Sequence, residues 1–253
     1  MLDDFTPIMH DLPGRTIKVY PVADVHIGAR EADVDGFSQF LERISQDDDS
    51  YLAICGDILN NGLKDSMTNV YEETMPPSEQ VKLAAELLKP VADKILGCVS
   101  GNHELRSKRM ADYDPLASVM TLIDKPELYR PNMAFVRVRM REGGSQETYA
   151  LLLVHGKTAN KKKQFQYAVE GVDAVISGHT HDGIVEKPAR LVFTQKGIVR
   201  VKHIVSVTAT SWLKYGGYAA SGLMLPKATG DPQCLVLEFT RGNRRDGQIR
   251  VAW

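Results

Sequence analysis

The feature that most constrains this chain of 253 residues is a repeated punctuation, in which short apolar runs stop abruptly at turns built from glycine with Asp, Asn or His. The run Thr16 to Ala23 ends at Asp24-Val-His26, Tyr51 to Cys55 at Gly56-Asp57, and Lys94 to Ser100 at Gly101-Asn102-His103-Glu104. Tyr149 to His155 ends at His155-Gly156, and Ala174 to Ser177 is followed by Gly178-His179-Thr-His181. Strands buried on both faces read as such continuous apolar runs. An α/β sheet binds its ligands just beyond the carboxyl ends of its strands. The pattern therefore predicts an α/β chain whose polar turns gather along one edge, and five of the seven histidines fall in those turns.

Between the strands, Val34 to Ser45 is predicted as a helix, because Val34, Phe37, Phe40, Leu41 and Ile44 share one face. Ser78 is placed as the cap of a helix running to Ala92, and a further helix is expected from Lys161 to Glu170. The polar stretch Asn60 to Pro77 is too long for a minimal connection and reads as a functional loop or a short helical insertion. Ala134 to Met140 and Tyr149 to His155 flank Gly143-Gly144 as a hairpin. Beyond Leu191 the chain is mostly strand-like, with Val199 to Val207 and Cys234 to Phe239 clearest. No linker or internal repeat interrupts it, so residues 1–253 are expected to form one domain. Asp47-Asp48-Asp49 reads as a solvated turn.

Two converging ligands are expected from each D-x-H or H-x-H segment, because alternate side chains of an extended segment project to the same side. Glycines at positions 28, 56, 101, 156 and 178 suit turns in which backbone approaches a metal or phosphate closely. A donor set of carboxylate, amide and imidazole without thiolate favours Mn²⁺ first, with Fe, Zn²⁺ or Ni²⁺ as alternatives. The three cysteines, Cys55, Cys98 and Cys234, are far apart and are read as small core residues. A net charge of −1 supplies no global field to attract polyanions, so any such substrate must be bound locally. The first residues, Met1-Leu-Asp-Asp-Phe-Thr-Pro7, lack the basic start and apolar stretch of a leader. A cytoplasmic location is expected, with neither a membrane nor an obligate protein partner.

Taken in order, D-x-H at Asp24 and His26, G-D at Asp57, G-N-H-E at Asn102 to Glu104, H-G at His155 and G-H-x-H at His179 and His181 resemble the calcineurin-like metallophosphoesterase superfamily. The resemblance implies a four-layer αββα sandwich of two packed mixed β-sheets flanked by helices. It implies two divalent cations, one held by Asp24, His26 and His181, the other by Asn102, His155 and His179, with Asp57 bridging. It also implies a phosphoesterase in which the cations activate water and His103, not itself a ligand, protonates the leaving oxygen. A scaffold role without catalysis is the alternative; every expected ligand and His103 are present.

Asp24 to Ala29 looks like the first motif of the Mre-type nuclease branch, whereas the stretch after His181 reads as sheet plus one loop in place of that branch's cap domain. The stretches Gly56 to Gly62, Val70 to Pro77 and Tyr215 to Ala219 resemble the compact metallophosphoesterases of phage and prophage genomes. That likeness implies hydrolysis of nucleotide or nucleic-acid phosphodiesters, with phosphomonoesters or phosphoproteins as the second class of substrate. Candidate substrate-binding residues are Arg106, Asn60 and Tyr215. Lys161-Lys-Lys163 and Arg106, Lys108 and Arg109 either flank the cations or form solvated helix faces. Trp212, Tyr215 and Tyr218 either stack a base or pack their loop onto the domain. Glu104 either orients its turn or is a surface carboxylate.

Overall fold

The computed structural model describes residues 5–64, 66, 70–142, 145–156, 169–193, 197–217, 220, 231–242 and 249–252. Its first sheet is built around β2 (Thr16–Val22), β3 (Ser50–Cys55) and β4 (Ile95–Val99), which run parallel. β5 (Tyr129–Arg130) extends it in parallel beside β4, while β13 (Val236–Thr240) and β14 (Ile249–Ala252) add antiparallel strands on the β2 side. The second sheet centres on β7 (Ser145–Val154), β8 (Ala174–Ser177) and β12 (Val205–Thr208), again parallel. It is flanked by β6 (Met133–Glu142), antiparallel to β7, by β1 (Ile8–Pro13), parallel to β6, and by β9 (Val185–Glu186). The described residues thus form two large mixed sheets with four α-helices, as the α/β pattern and the resemblance imply.

The sheets pack face to face. A Cβ placed on Gly97 of β4 would lie 3.0 Å from Leu153 of β7 and 3.1 Å from Val136 of β6. All residues of β3 and β8 are buried, which is why both read as uninterrupted apolar runs. Helix α1 (Val34–Gln46) covers the first sheet with Phe37, Phe40, Leu41 and Ile44, and its N-cap Asp33 accepts a hydrogen bond from Gly36 N. Burying each such side chain contributes about 1.5–3 kcal/mol. A second apolar cluster, Leu152, Val154, Val172, Val175 and Ile204, lies apart from this core. No helix among the described residues is long and apolar enough to cross a membrane.

Several expectations change. Helix α2 (Pro77–Leu88) begins without a Ser78 cap and stops at Leu88; a 3₁₀ segment, Lys89–Lys94, continues it. Pro90 lacks the N–H that the next α-helical hydrogen bond needs, so the chain tightens there. The run Val199 to Val207 is two strands, because β11 (Val199–His203) pairs with β10 (Ala189–Phe193) in a separate hairpin while β12 enters the second sheet. Ile204 N bonds the Pro188 carbonyl between them. The last long strand starts at Val236, not Cys234, and Cys234 is exposed in a turn, whereas Cys55 and Cys98 are buried.

β1, α3 (Glu104–Ala111) and α4 (Pro115–Leu122) are among the elements that the sequence pattern does not reveal. β1 sets His10 and Asp11 within its short run, and α3 is mostly polar, so neither shows a continuous apolar signature. α4 had a readable start, since Asp114 caps Ala117 N and Pro115 occupies the first helical position. The helix expected at Lys161 to Glu170 lies outside the described residues up to position 168, and Val169 and Glu170 are not helical. Gly143, Gly144 and Tyr218 also lie outside them.

Candidate metal centre

The parallel strands of both sheets end at the same edge, and each motif begins one or two residues beyond. Asp24 and His26 follow β2, Asp57 follows β3, Asn102 and His103 follow β4, His155 follows β7, and His179 and His181 follow β8. Hydrogen bonds to backbone carbonyls hold the two sheets together here: the Cys55 carbonyl accepts from the His155 side chain at Nδ1 at 2.7 Å, and Trp212 N bonds the Asp24 carbonyl at 3.1 Å.

Convergence is achieved differently from the extended geometry expected of D-x-H and H-x-H. Asp24, His26, Asp57, His179 and His181 all have positive φ, between 52° and 75°. Such left-handed residues cost of order 1–3 kcal/mol each and cluster at functional sites. Asp, Asn and His tolerate this region better than other side chains. Bracketing a single intervening residue with two left-handed ones curls each motif so that both side chains face inward.

Gly56 makes the closest approach possible. It has φ +82°, and a Cβ on it would lie 2.3 Å from Gly101 N. At this point the turns after β3 and β4 meet backbone to backbone. Gly56→Ala is expected to lower the unfolding free energy by about 2–4 kcal/mol, through the left-handed penalty plus the backbone clash. Urea unfolding checks this, and a loss below about 1 kcal/mol would show that the approach is dispensable.

Each aspartate commits one oxygen and offers the other. Asp24 Oδ2 accepts from His179 N at 2.8 Å, and Asp57 Oδ1 accepts from His103 N at 2.8 Å. Their free oxygens face imidazoles: Asp24 Oδ1 lies 3.2 Å from His181 Nε2 and 3.9 Å from His26 Nε2. Asp57 Oδ2 lies 3.2, 3.8 and 4.0 Å from Nε2 of His155, His103 and His26. Asn102 Oδ1 is 3.0 Å from His155 Nε2. Three overlapping groups have the spacing of metal ligands, namely Asp24, His26 and His181; His26, Asp57 and His103; and Asp57, His155 and His179.

The buried polar atoms test whether a cation fits. Among the described residues, Asp24 Oδ1, His26 Nδ1 and His26 Nε2 are the buried side-chain atoms without a hydrogen-bond partner. Orphans of this kind are rare and costly in native interiors. Asp24 Oδ1 and His26 Nε2 lie 3.9 Å apart, a pair that a cation coordinated between them would satisfy. Burial, with His103 adding to it, lowers His26 to about 3, so its ring is neutral and able to coordinate. Burial also lowers His155, but the Asp57 carboxylate outweighs it and lifts the ring to about 10. A cation between them would take the place of that proton. Despite burial, Asp57 is held far below the usual carboxylate range by His155, His103 and His26.

Glu104 is fully buried and orients its turn: its carboxylate accepts from Asp57 N at 3.0 Å, Gly101 N at 2.9 Å and Leu59 N at 2.9 Å. Burial and the nearby Asp57 charge raise it to about 7. His103 Nδ1 donates to the Asn60 carbonyl at 2.7 Å, which leaves Nε2 to accept from Arg106 at 3.0 Å. Burial lowers the pKa of His103, and Arg106 lowers it further. Arg106 also reaches the Asn60 carbonyl at 3.3 Å.

Trp212 is buried edge-on against Phe37, so of the two readings of its loop, packing applies to that ring. Tyr215 is exposed on the segment that bonds Glu31, just after the first motif. Lys108 pairs with Asp112, and Arg109 is exposed. Lys161, Lys162 and Lys163 lie outside the described residues. Sequence reasoning did not pick out Glu73, Gln80 or Asn61, which line this region from the loop and α2; nothing in their spacing signals a site.

A comparison with curated proteins found no match. Among solved structures, a metallophosphoesterase from Sphaerobacter thermophilus aligns at 18% identity and a TM-score of 0.43, covering 93% of this chain and 87% of the other. GAP50, the anchor in the inner membrane complex of Plasmodium, aligns at 10% identity and a TM-score of 0.43, covering 90% and 82%. The family model for calcineurin-like phosphoesterases matches residues 17–183, a span that takes in every motif from Asp24 to His181, and the chain belongs to that family.

Proposed function

We propose that this member hydrolyses phosphodiesters of nucleotides or nucleic acids with two divalent cations, Mn²⁺ first among them. In this reading Asp24, His26 and His181 would hold one cation and Asn102, His155 and His179 the other, with Asp57 a ligand common to both. The observation that carries the metal dependence is the inward-facing set of unpartnered donors on His26 and Asp24. When bound, the cations neutralise phosphate charge and acidify the attacking water.

The chain's own groups do the rest. His103, doubly protonated once Arg106 turns from its ring to the substrate phosphate, delivers the Nε2 proton to the leaving oxygen while its Nδ1–H stays on the Asn60 carbonyl. The family resemblance does not assign it as a ligand, and its Nε2 faces the Arg106 guanidinium at 3.0 Å, a cationic neighbour that disfavours a cation there. Arg106 turns its planar fork to a phosphate oxygen, Asn60 lines the same side, and Tyr215 offers an exposed ring to a base. Among the described residues, Arg106 is the one Lys or Arg whose side chain hydrogen-bonds a residue of these motifs. A single guanidinium suits the single charge of a diester better than the double charge of a monoester.

With Mn²⁺ present, turnover of bis-p-nitrophenyl phosphate is expected to exceed that of p-nitrophenyl phosphate. The reverse order would favour a phosphomonoesterase or protein phosphatase, and no turnover of either with Mn²⁺, Fe²⁺, Zn²⁺ or Ni²⁺ would favour a non-catalytic scaffold. Single-stranded DNA, duplex DNA, RNA and cyclic nucleotides then sort the substrate class.

A further inference from the structure

We infer that Glu73, on the loop before α2, is a positioning residue that sets the aim of His103 and Arg106, an inference that rests on the proposed phosphoesterase reading. Its carboxylate accepts from Asn60 Nδ2 at 2.5 Å and from Gln80 Nε2 at 2.5 Å, and the Gly62 backbone also donates to it. Three donors occupy this carboxylate, so it is neither a metal ligand nor a contact for an anionic substrate. It is half-buried, and it seats against bare backbone: a Cβ on Gly62 would lie 2.1 Å from its Oε1.

The consequence reaches the site through Asn60. With the Asn60 side chain anchored on Glu73, its carbonyl is the shared acceptor for His103 Nδ1 at 2.7 Å and Arg106 Nη1 at 3.3 Å. Gln80, wholly buried in α2, extends the same frame. Its Oε1 accepts from Asn61 N at 2.8 Å, and Asn61 in turn donates from Nδ2 to the His103 carbonyl at 2.7 Å. Thr74, next to Glu73, bonds the Gly28 carbonyl through its backbone N at 2.8 Å and its hydroxyl at 3.1 Å, which ties the loop to the first motif as well. One loop carboxylate thereby fixes, through a single residue, both the ring proposed to give the proton and the guanidinium proposed to hold the phosphate.

Glu73→Gln keeps the shape but presents an amide N–H₂ to donors, which breaks the Asn60 anchor. Groups that orient functional side chains in this indirect way are worth about 10–100-fold in activity. The Mn²⁺-loaded variant is expected to keep its metal content and to lose turnover in that range on a diester with a poor alkyl leaving group, with a smaller loss on bis-p-nitrophenyl phosphate. Glu73→Asp should recover part of the loss. In a His103→Asn background, Glu73→Gln should cost little more, because the two act through one group. Equal losses on both substrates, equal losses in both backgrounds, or a fall in metal content would overturn the inference. NMR of the imidazole nitrogens gives a readout independent of activity: wild-type His103 is expected as the Nδ1–H tautomer, and Glu73→Gln should release it toward Nε2–H. An unchanged tautomer would also overturn the inference, whereas absence of turnover in the wild type would count against the proposed function alone.

Discussion

Asp57→Asn is expected to strip bound metal from both positions and to lower turnover by about 10³-fold or more. The size follows from two-cation chemistry, in which charge stabilisation is worth several kcal/mol and each 1.36 kcal/mol is about tenfold in rate. Asp57 carries this weight because its Oδ2 is the point that His26, His103 and His155 all face. An amide there supplies a weaker, neutral oxygen and can turn an N–H₂ toward the cations. His26→Ala, by contrast, should chiefly affect one position, since in the proposed set it serves a single cation together with Asp24 and His181. Metal analysis of the purified variants separates the two cases. An Asp57→Asn protein that retains both metals would remove Asp57 from the bridging role.

His103→Asn should do nearly as much to the rate while leaving the metals in place. Loss of a general acid costs about 10²–10⁴-fold when proton transfer limits the reaction. The metals should remain because the His103 backbone N–H, not its ring, supports Asp57 Oδ1, and that N–H survives the substitution. A nitrophenolate leaving group needs little protonation, so the loss on aryl substrates should be smaller. Metal content falling in step with activity, or identical losses on good and poor leaving groups, would assign His103 to the coordination sphere instead.

The strand ends were readable because burial on both faces leaves an unbroken apolar run, and the run stops where the chain leaves the sandwich. Tyr51 to Cys55 followed by Gly56-Asp57 shows this most clearly, with every residue of β3 buried. The same logic failed for Val199 to Val207, since an exposed hairpin strand and a core strand share one composition and are told apart by their partners alone. The convergence of the motif residues was foreseen, but not its means. Left-handed backbone at Asp24, His26, Asp57, His179 and His181 is a property of tertiary constraint, and a D-x-H spelling does not reveal it. The frame behind the site was hidden for a related reason. Glu73 and Gln80 act by meeting Asn60 and Asn61 across a loop, and such pairings carry no periodic signal.

The stacking of the two sheets has a consequence for how the centre keeps its dimensions. Asp24, Asp57 and Asn102 hang from one sheet and His155, His179 and His181 from the other, so the gap between donor halves is a copy of the inter-sheet spacing. That spacing is gauged deep in the core, where Gly97 leaves room for Leu153 and Val136 to close within about one methyl group of the facing backbone. Interiors are packed too tightly to absorb an added methyl without movement. A methyl at position 97 would act as a shim that Leu153 and Val136 must yield to by a few tenths of an ångström, a displacement felt between the sheets while every ligand remained unchanged. The calibration of this centre therefore resides in apolar residues that no motif contains.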